Sequence, residues 1–514
     1  MASESKQKTT GYKPGDQNIQ PFGLDIHNPV FVVSGLTVIV FVLLTLAFQD
    51  GAADFFGALR PWLTKQFDWV FMIAGNIFVL FCLFLAFGPL SKVRIGGRNA
   101  KPDYSYAGWF AMLFAAGMGI GLVFFGVLEP VYHTLNPPLG MAADAADAGR
   151  TGLAATIFHW GLHAWAIYAV VALSLAFFCY NKGLPLTIRS AFYPLLGERI
   201  WGPIGHLIDV LAVFATLFGL ATSLGFGATQ ATAGLSYLFG IDGGNTTQVI
   251  LIVLITAAAL VSVLAGLDKG VKRLSEANMA LALLLLLFVL LAGPTAAIIS
   301  GFFMGLFDYA RYLVPLSNWI GREDTGFFHG WTTFYWAWWI SWSPFVGMFI
   351  ARISKGRTVR EFVLCVLIIP MLVCALWMAV FGGTAIHQMA GGYQAVADTV
   401  TNWTPELSLF RMLDGLPMTN IASFGGIVLV IVFFVTSSDS GSLVIDTITA
   451  GGKIDAPVQQ RVFWCSFEGL VAIALLLGGG LTALQAAAIS TGFPFAILLL
   501  VMCIGLYKGL KSEA

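Results

Sequence analysis

Residues 469–507 carry no charged side chain. Water does not tolerate so long an apolar surface, so only a bilayer or a very large core can cover it. Gly478, Gly479 and Gly480 divide the run into two stretches, each long enough to cross a membrane. The rest of the chain agrees: 58% of the 514 residues are hydrophobic and 11% charged, where a soluble domain carries about a quarter charged residues. Lys+Arg and Asp+Glu are balanced at 27 each, so no charge excess points to nucleic acid. Aromatics at 14% exclude a disordered chain. The chain is expected to be an all-α polytopic membrane protein.

A crossing helix needs roughly 20 mostly apolar residues. That length predicts twelve spans, at 30–48, 69–91, 106–128, 152–179, 206–238, 246–267, 277–299, 328–351, 362–383, 421–447, 462–477 and 481–506. The amphipathic piece FFMGLFDYARYL, between 300 and 327, is expected to lie at the interface. The polar arm before the first run is too long for a secretory signal, so that run should remain as a helix. With both termini in the cytoplasm, the outer segments hold only Arg60, Lys65, Arg150, Arg311, Arg322 and Arg411 of the 27 basic residues. The positive-inside rule therefore supports this count and orientation, with Lys6, Lys8 and Lys269 among the inner charges. Six cysteines, Cys82, Cys179, Cys365, Cys374, Cys465 and Cys503, all fall in apolar runs and suggest packing, with neither a disulfide framework nor a zinc site.

Two spans carry helix breakers. The third reads FAAGMGIGLVFFG, and the eighth, FYWAWWISWSPFVGMF, has Pro344 in mid-span beside Ser341 and Ser343. Both are expected to unwind locally, because glycine weakens a helix and proline removes a backbone donor. Counting five helices forward from the third reaches the eighth, so five-helix units 3–7 and 8–12 would have opposite orientation, the inverted-repeat plan of secondary transporters with a midplane site. The organisation expected is an inner arm (1–27), two peripheral spans (28–103), a first repeat (104–299), the interfacial piece (300–327), a second repeat (328–507) and a short tail (508–514).

Trp336, Trp338, Trp339 and Trp342 lie within seven residues of span eight, and Trp160, Trp165 and Tyr168 within span four. Several aromatic faces around one cavity suit a quaternary ammonium group, which has no N–H to donate and is held by ring quadrupoles. Asp209, Glu129 and Asp439 are the acidic residues nearest the core, and none stands out as a counter-ion, which fits a zwitterion. His159 and His163, four apart, would share a helix face, but no carboxylate or cysteine nearby in the sequence completes a metal set. Ser437, Ser438, Ser440 and Ser442 lie in no nucleophile elbow and suit cation ligation better. No catalytic residues and no cofactor are expected, so the chain reads as a carrier and not an enzyme.

These residues resemble the betaine/carnitine/choline transporter family over about residues 28–507, through FAAGMGIGL (114–122), FHWGLHAWAIY (158–168), FYWAWWISWSPFVGMF (334–349) and FFVTSSDS (433–440). The resemblance implies twelve spans, a LeuT-like inverted-repeat core, a homotrimer and the plasma membrane. It implies a box of Trp160, Trp165, Tyr168 and Trp339, with Trp338, Trp342, Phe124 and Met118 nearby. It implies a coupling sodium held by Ala115, Met118 and Phe433 backbone and by Thr436 and Ser437 hydroxyls. A second family sodium site matches at Thr216 and Phe345 but meets Leu220 where a threonine is needed. Proton-coupled choline members carry Asp where this chain has Gly121, so glycine betaine or dimethylsulfoniopropionate is favoured. The alternative is a sodium-independent exchanger or a proton-coupled carrier of carnitine or choline. The tail after Tyr507, KGLKSEA, is too short for the basic sensor helix of osmotically gated members, which implies constitutive uptake.

Overall fold

A computed structural model describes residues 10–265 and 272–513; Lys6, Lys8 and Lys269 of the charge argument lie outside them. The described chain is helical apart from a two-stranded antiparallel ribbon, β1 (Asn18–Ile19) with β2 (Ile26–His27). The long helices are α1 (Asn28–Ala47), α2 (Gln49–Phe87), α3 (Tyr106–Gly117), α4 (Ile120–Leu135), α5 (Ala148–Trp160), α6 (Leu162–Tyr180), α7 (Pro203–Phe239) and α8 (Asn245–Ala265). There follow α9 (Lys272–Ala292), α10 (Thr295–Ser317), α11 (Thr333–Ile353), α12 (Val359–Ala390), α13 (Thr419–Thr449), α14 (Val458–Leu477) and α15 (Gly480–Lys511). The protein is an all-α polytopic membrane protein. Among the described residues, 11 helices are long and apolar enough to cross a membrane, or 12 with the bent pair α3/α4 taken as one span.

That number matches the sequence count through a different membership. It includes α10 and omits α11. Nearly every residue of α11 is buried, packed against α6, α7 and α15, so it has little need of an apolar exterior. The amphipathic piece expected at 300–327 is a 23-residue helix that begins earlier, at Thr295, and ends at Ser317. The seventh span, expected to reach 299, stops at Ala292 before Gly293 and Pro294, because proline at 294 cannot continue the backbone ladder. Helix α10 keeps two faces: Phe303, Phe307 and Val314 are exposed, while Asp308 is buried and held by Arg150 at 2.8 and 2.9 Å.

The segments assigned to one side of the membrane do meet at one end. Ile95 N–H donates to Arg357 O and Val359 N–H to Val93 O, joining the loop after α2 to the loop after α11. Asn181 donates to Arg94 O at 3.0 Å, Lys182 to Ser512 at 3.0 Å, and Asn18 to Ala450 O at 2.9 Å. At the opposite end Leu139 N–H donates to Asp324 and Arg60 to Gly330 O. For the segments they join, these contacts follow the grouping expected from the sequence.

The interruptions fall differently from the expectation. Span three breaks as anticipated: α3 and α4 meet at 64°, with Met118 and Gly119 extended between them. Span eight does not break, since α11 runs straight through Pro344. The carbonyl that Pro344 cannot bond, Ile340 O, accepts the Ser343 hydroxyl at 2.7 Å, which offsets the lost donor. Its irregularity lies earlier, in a π-helical turn over Phe328–Thr332. The unanticipated break is in span four at Gly161, between α5 and α6. A Cβ at 161 would lie 2.5 Å from Ile157 O and 2.8 Å from the Tyr309 hydroxyl, so only glycine fits.

Candidate functional site

A broken helix leaves carbonyls and N–H groups without partners inside the protein, and at Gly161 aromatic side chains satisfy them. Trp339 Nε1 donates to His159 O at 2.9 Å and Trp165 Nε1 to Trp160 O at 3.2 Å. The Tyr309 hydroxyl accepts from Leu162 N at 3.0 Å. Two indoles are thus pinned by their N–H groups at the end of α5. Trp160 and Trp339 meet edge to face with centroids 4.8 Å apart, Trp165 and Tyr168 at 5.3 Å, and Tyr168 and Trp339 at 6.3 Å.

These rings surround a cavity of about 50 Å³. Trp160, Trp165, Tyr168, Trp338, Trp339, Trp342 and Met118 all line it, so seven of the eight substrate residues expected from the sequence converge on one space. Phe124 does not line it. It faces a second cavity toward the outer end, with Tyr132, Trp331 and Trp403. Between the two cavities stand Phe125, Phe226 and Trp338, in mutual edge contact at 5.4–5.9 Å. Toward the other end a third cavity adjoins the box, sharing Ala116, Met118, Trp342 and Val346 with its lining.

Ala115, Met118, Phe433, Thr436 and Ser437 all line that third cavity, beside the break between α3 and α4. The break leaves the last α3 carbonyls without their usual i+4 donors, and Ala115 O keeps only the Met118 N–H at 3.2 Å. Thr436 Oγ1 bonds within its own helix, to Val432 O and Phe433 O. An all-oxygen set of carbonyls and hydroxyls suits a hard cation. The positions expected for a second sodium do not gather in this way. Thr216 is buried and donates to Ala212 O at 2.7 Å, Phe345 lines the third cavity, and Leu220 packs against Gly441. Of the other serines, Ser438 donates to Glu468 and Ser442 to Asp439 O, so Ser440 alone joins Ser437 at the cavity.

Two histidines expected on one face part company at the Gly161 break. His163 bonds Asn76 at 3.0 Å and stacks on Trp336, whereas His159 Nδ1 lies 2.5 Å from Glu129 Oε1. Glu129, His133 and His159 are the one group of three potential metal ligands among the described residues. The 2.5 Å N···O contact is a hydrogen bond, while two ligands on one tetrahedral zinc, each at about 2 Å from it, lie more than about 3 Å apart. Glu129 is hydrogen-bonded to His159, Trp160 and Tyr335, and His133 stands 3.5 Å from it. Sequence reading placed Glu129 at the end of a span and missed this network, as it missed Ser223, which accepts from Trp338 Nε1 at 3.1 Å. Asp209 and Asp439, the other core acids, are held by Arg189 and Ser262 respectively.

The family model for betaine/carnitine/choline family transporters matches residues 29–514. The chain belongs to that family. Its relatives include a glycine betaine/proline/choline transporter of Vibrio parahaemolyticus, 59% identical with 98% of this chain and 94% of the relative covered. Glycine betaine transporter 1 of the same organism is 55% identical, with 98% of each covered. The glycine betaine transporter OpuD of Bacillus subtilis is 42% identical, with 95% of each covered. The chain is accordingly a multi-pass membrane transporter of the betaine/choline type.

Within this family site, Gly121 has a direct steric reason. A Cβ there would lie 2.8 Å from Trp338 Cη2 and 2.9 Å from Trp160 Cη2, so any side chain forces a box indole to move. Gly121→Ala is expected to weaken binding of glycine betaine at least about fivefold, since shifting either ring costs a good part of a cation–π contact. Tryptophan-fluorescence titration of the purified variant checks this.

Proposed function

We propose that this protein imports glycine betaine or a related methylated zwitterion, such as dimethylsulfoniopropionate, driven by the sodium gradient through alternating access. The aromatic box carries the reading. Its rings offer quadrupoles and no carboxylate among the lining residues, an arrangement matched to a cation without N–H. Names of relatives support the substrate class: glycine betaine recurs in them, and in one case proline and choline join it.

Sodium enters as a co-substrate at Ala115, Met118, Phe433, Thr436 and Ser437. Support for this comes from their shared cavity, which adjoins the box through Met118. One ion would thus sit on the same broken helix that closes the substrate site. The loops after α2, α6 and α11, grouped at one end with the C-terminus of α15, face the cytoplasm of the plasma membrane, and the arrangement is inward-facing. The Phe125, Phe226 and Trp338 plug then seals the outer side while the third cavity leads inward. Units 3–7 and 8–12 form the inverted repeat, and the working assembly is a homotrimer.

A tryptophan-fluorescence screen of glycine betaine, dimethylsulfoniopropionate, carnitine, choline, proline and ectoine, with and without Na⁺, tests the reading. The methylated zwitterions are expected to quench at the lowest concentration, and only with Na⁺ present. Tight sodium-independent binding of carnitine would instead favour an exchanger.

A further inference from the structure

We propose that Glu129 is a positioning residue that sets the cation affinity of the box by acting through the Trp160 indole; this rests on the function proposed above. Glu129 lies on α4 and is completely buried. Its Oε2 accepts the Trp160 indole N–H at 2.9 Å and the Tyr335 hydroxyl at 2.5 Å. Its Oε1 faces His159 Nδ1 at 2.5 Å and, more distantly, His133 Nε2 at 3.5 Å. One carboxyl group therefore ties α4, α5 and α11 together behind the ring that meets the substrate.

The tie has two consequences for the box. The first is geometric: with Nδ1 donating to Glu129, His159 Nε2 accepts the Thr332 hydroxyl at 2.9 Å, and the fixed His159 backbone carbonyl holds Trp339 Nε1. Both indoles of the edge-to-face pair thus depend on Glu129. The second is electronic. An indole N–H that donates to a carboxylate polarises its own π-system and makes the face more negative, which strengthens its attraction for a cation. A carboxylate inside the cavity would pair with a primary amine. Placed behind the indole and absent from the cavity lining, Glu129 favours charge while offering no direct acceptor, so it selects for methylated cations.

The test is a double-mutant cycle on the full chain, with glycine betaine as the probe and tryptophan fluorescence as the readout. Glu129→Gln keeps the shape and one acceptor oxygen but removes the charge. It is expected to raise the dissociation constant at least about fivefold in the native background and less than about twofold in a Trp160→Phe background, where no N–H remains to polarise. Equal factors in both backgrounds would mean that Glu129 only supports the fold, and would overturn the proposal. Should Glu129→Gln fail to fold, Tyr335→Phe decides. It removes the α11 contact to Oε2 but leaves the Trp160 N–H bonded to Glu129, so betaine affinity should change less than about twofold, and a loss of about fivefold or more would overturn the proposal. Failure of the function itself is read separately: Trp339→Ala then leaves betaine binding intact, whatever the cycle returns.

Discussion

Trp339→Ala raises the dissociation constant for glycine betaine at least tenfold, and Trp339→Phe raises it less. A desolvated cation over an indole face gains about 2 kcal/mol, and each 1.4 kcal/mol is a factor of ten in affinity. Trp339 stands at the centre of the box, edge to face with Trp160, stacked on Trp338 at 4.9 Å and within 6.3 Å of Tyr168. Its indole N–H also closes the gap at the end of α5, so alanine removes both a ring and the partner of His159 O. Phenylalanine restores a weaker face but leaves that carbonyl unpaired, which is why an intermediate value is expected. Titration of both variants by fluorescence, with thermal melting to confirm the fold, checks the order native, Phe, Ala. Native-like binding in both would show that the cluster is packing, and the substrate class proposed here would fall with it.

The box was legible because its signal is local. Trp338, Trp339 and Trp342 crowd one apolar run and Trp160, Trp165 and Tyr168 another, in places where an interface belt does not need them. The break between α3 and α4 was legible for the same reason, since Gly117, Gly119, Gly121 and Gly126 crowd within ten residues of one span. What escaped reading depends on partners distant in sequence. Gly161 looks like any small packing residue until Tyr309, far along the chain, is found against it. Pro344 reads as a breaker, yet the hydroxyl of its own neighbour Ser343 supplies what the missing N–H would have given. The Glu129 network joins residues 30, 31 and 206 positions apart, a distance over which no periodicity carries information. Helix α10 was cut short because the apolar run continues through Gly293 and Pro294 and hides the boundary.

Uptake stops when K⁺ replaces Na⁺ on both sides of a proteoliposome membrane, and Thr436→Ala or Ser437→Ala raises the half-saturating Na⁺ concentration at least about tenfold, since each removes one oxygen from a small ligand set. Both hydroxyls are half-buried at the cavity that adjoins the box, next to backbone freed by the α3/α4 break. Losing an oxygen ligand there weakens the ion, and through the shared Met118 it weakens the substrate as well. Coupling of this kind is reciprocal, so betaine should lower the Na⁺ requirement by the same factor that Na⁺ lowers the betaine requirement. One charge is expected to cross per zwitterion. Leu220 has no side-chain oxygen for a second ion, and it fills the space beside Gly441, where even a Cβ would approach its Cδ1 to 2.3 Å. A single charge moving inward draws about 2.3 kcal/mol per 100 mV, enough for a roughly 50-fold gradient of substrate. Transport current measured against radiolabelled betaine uptake gives the ratio directly. A ratio of two would show that oxygens elsewhere rebuild the second site, and undiminished uptake in K⁺ would remove sodium from the mechanism altogether.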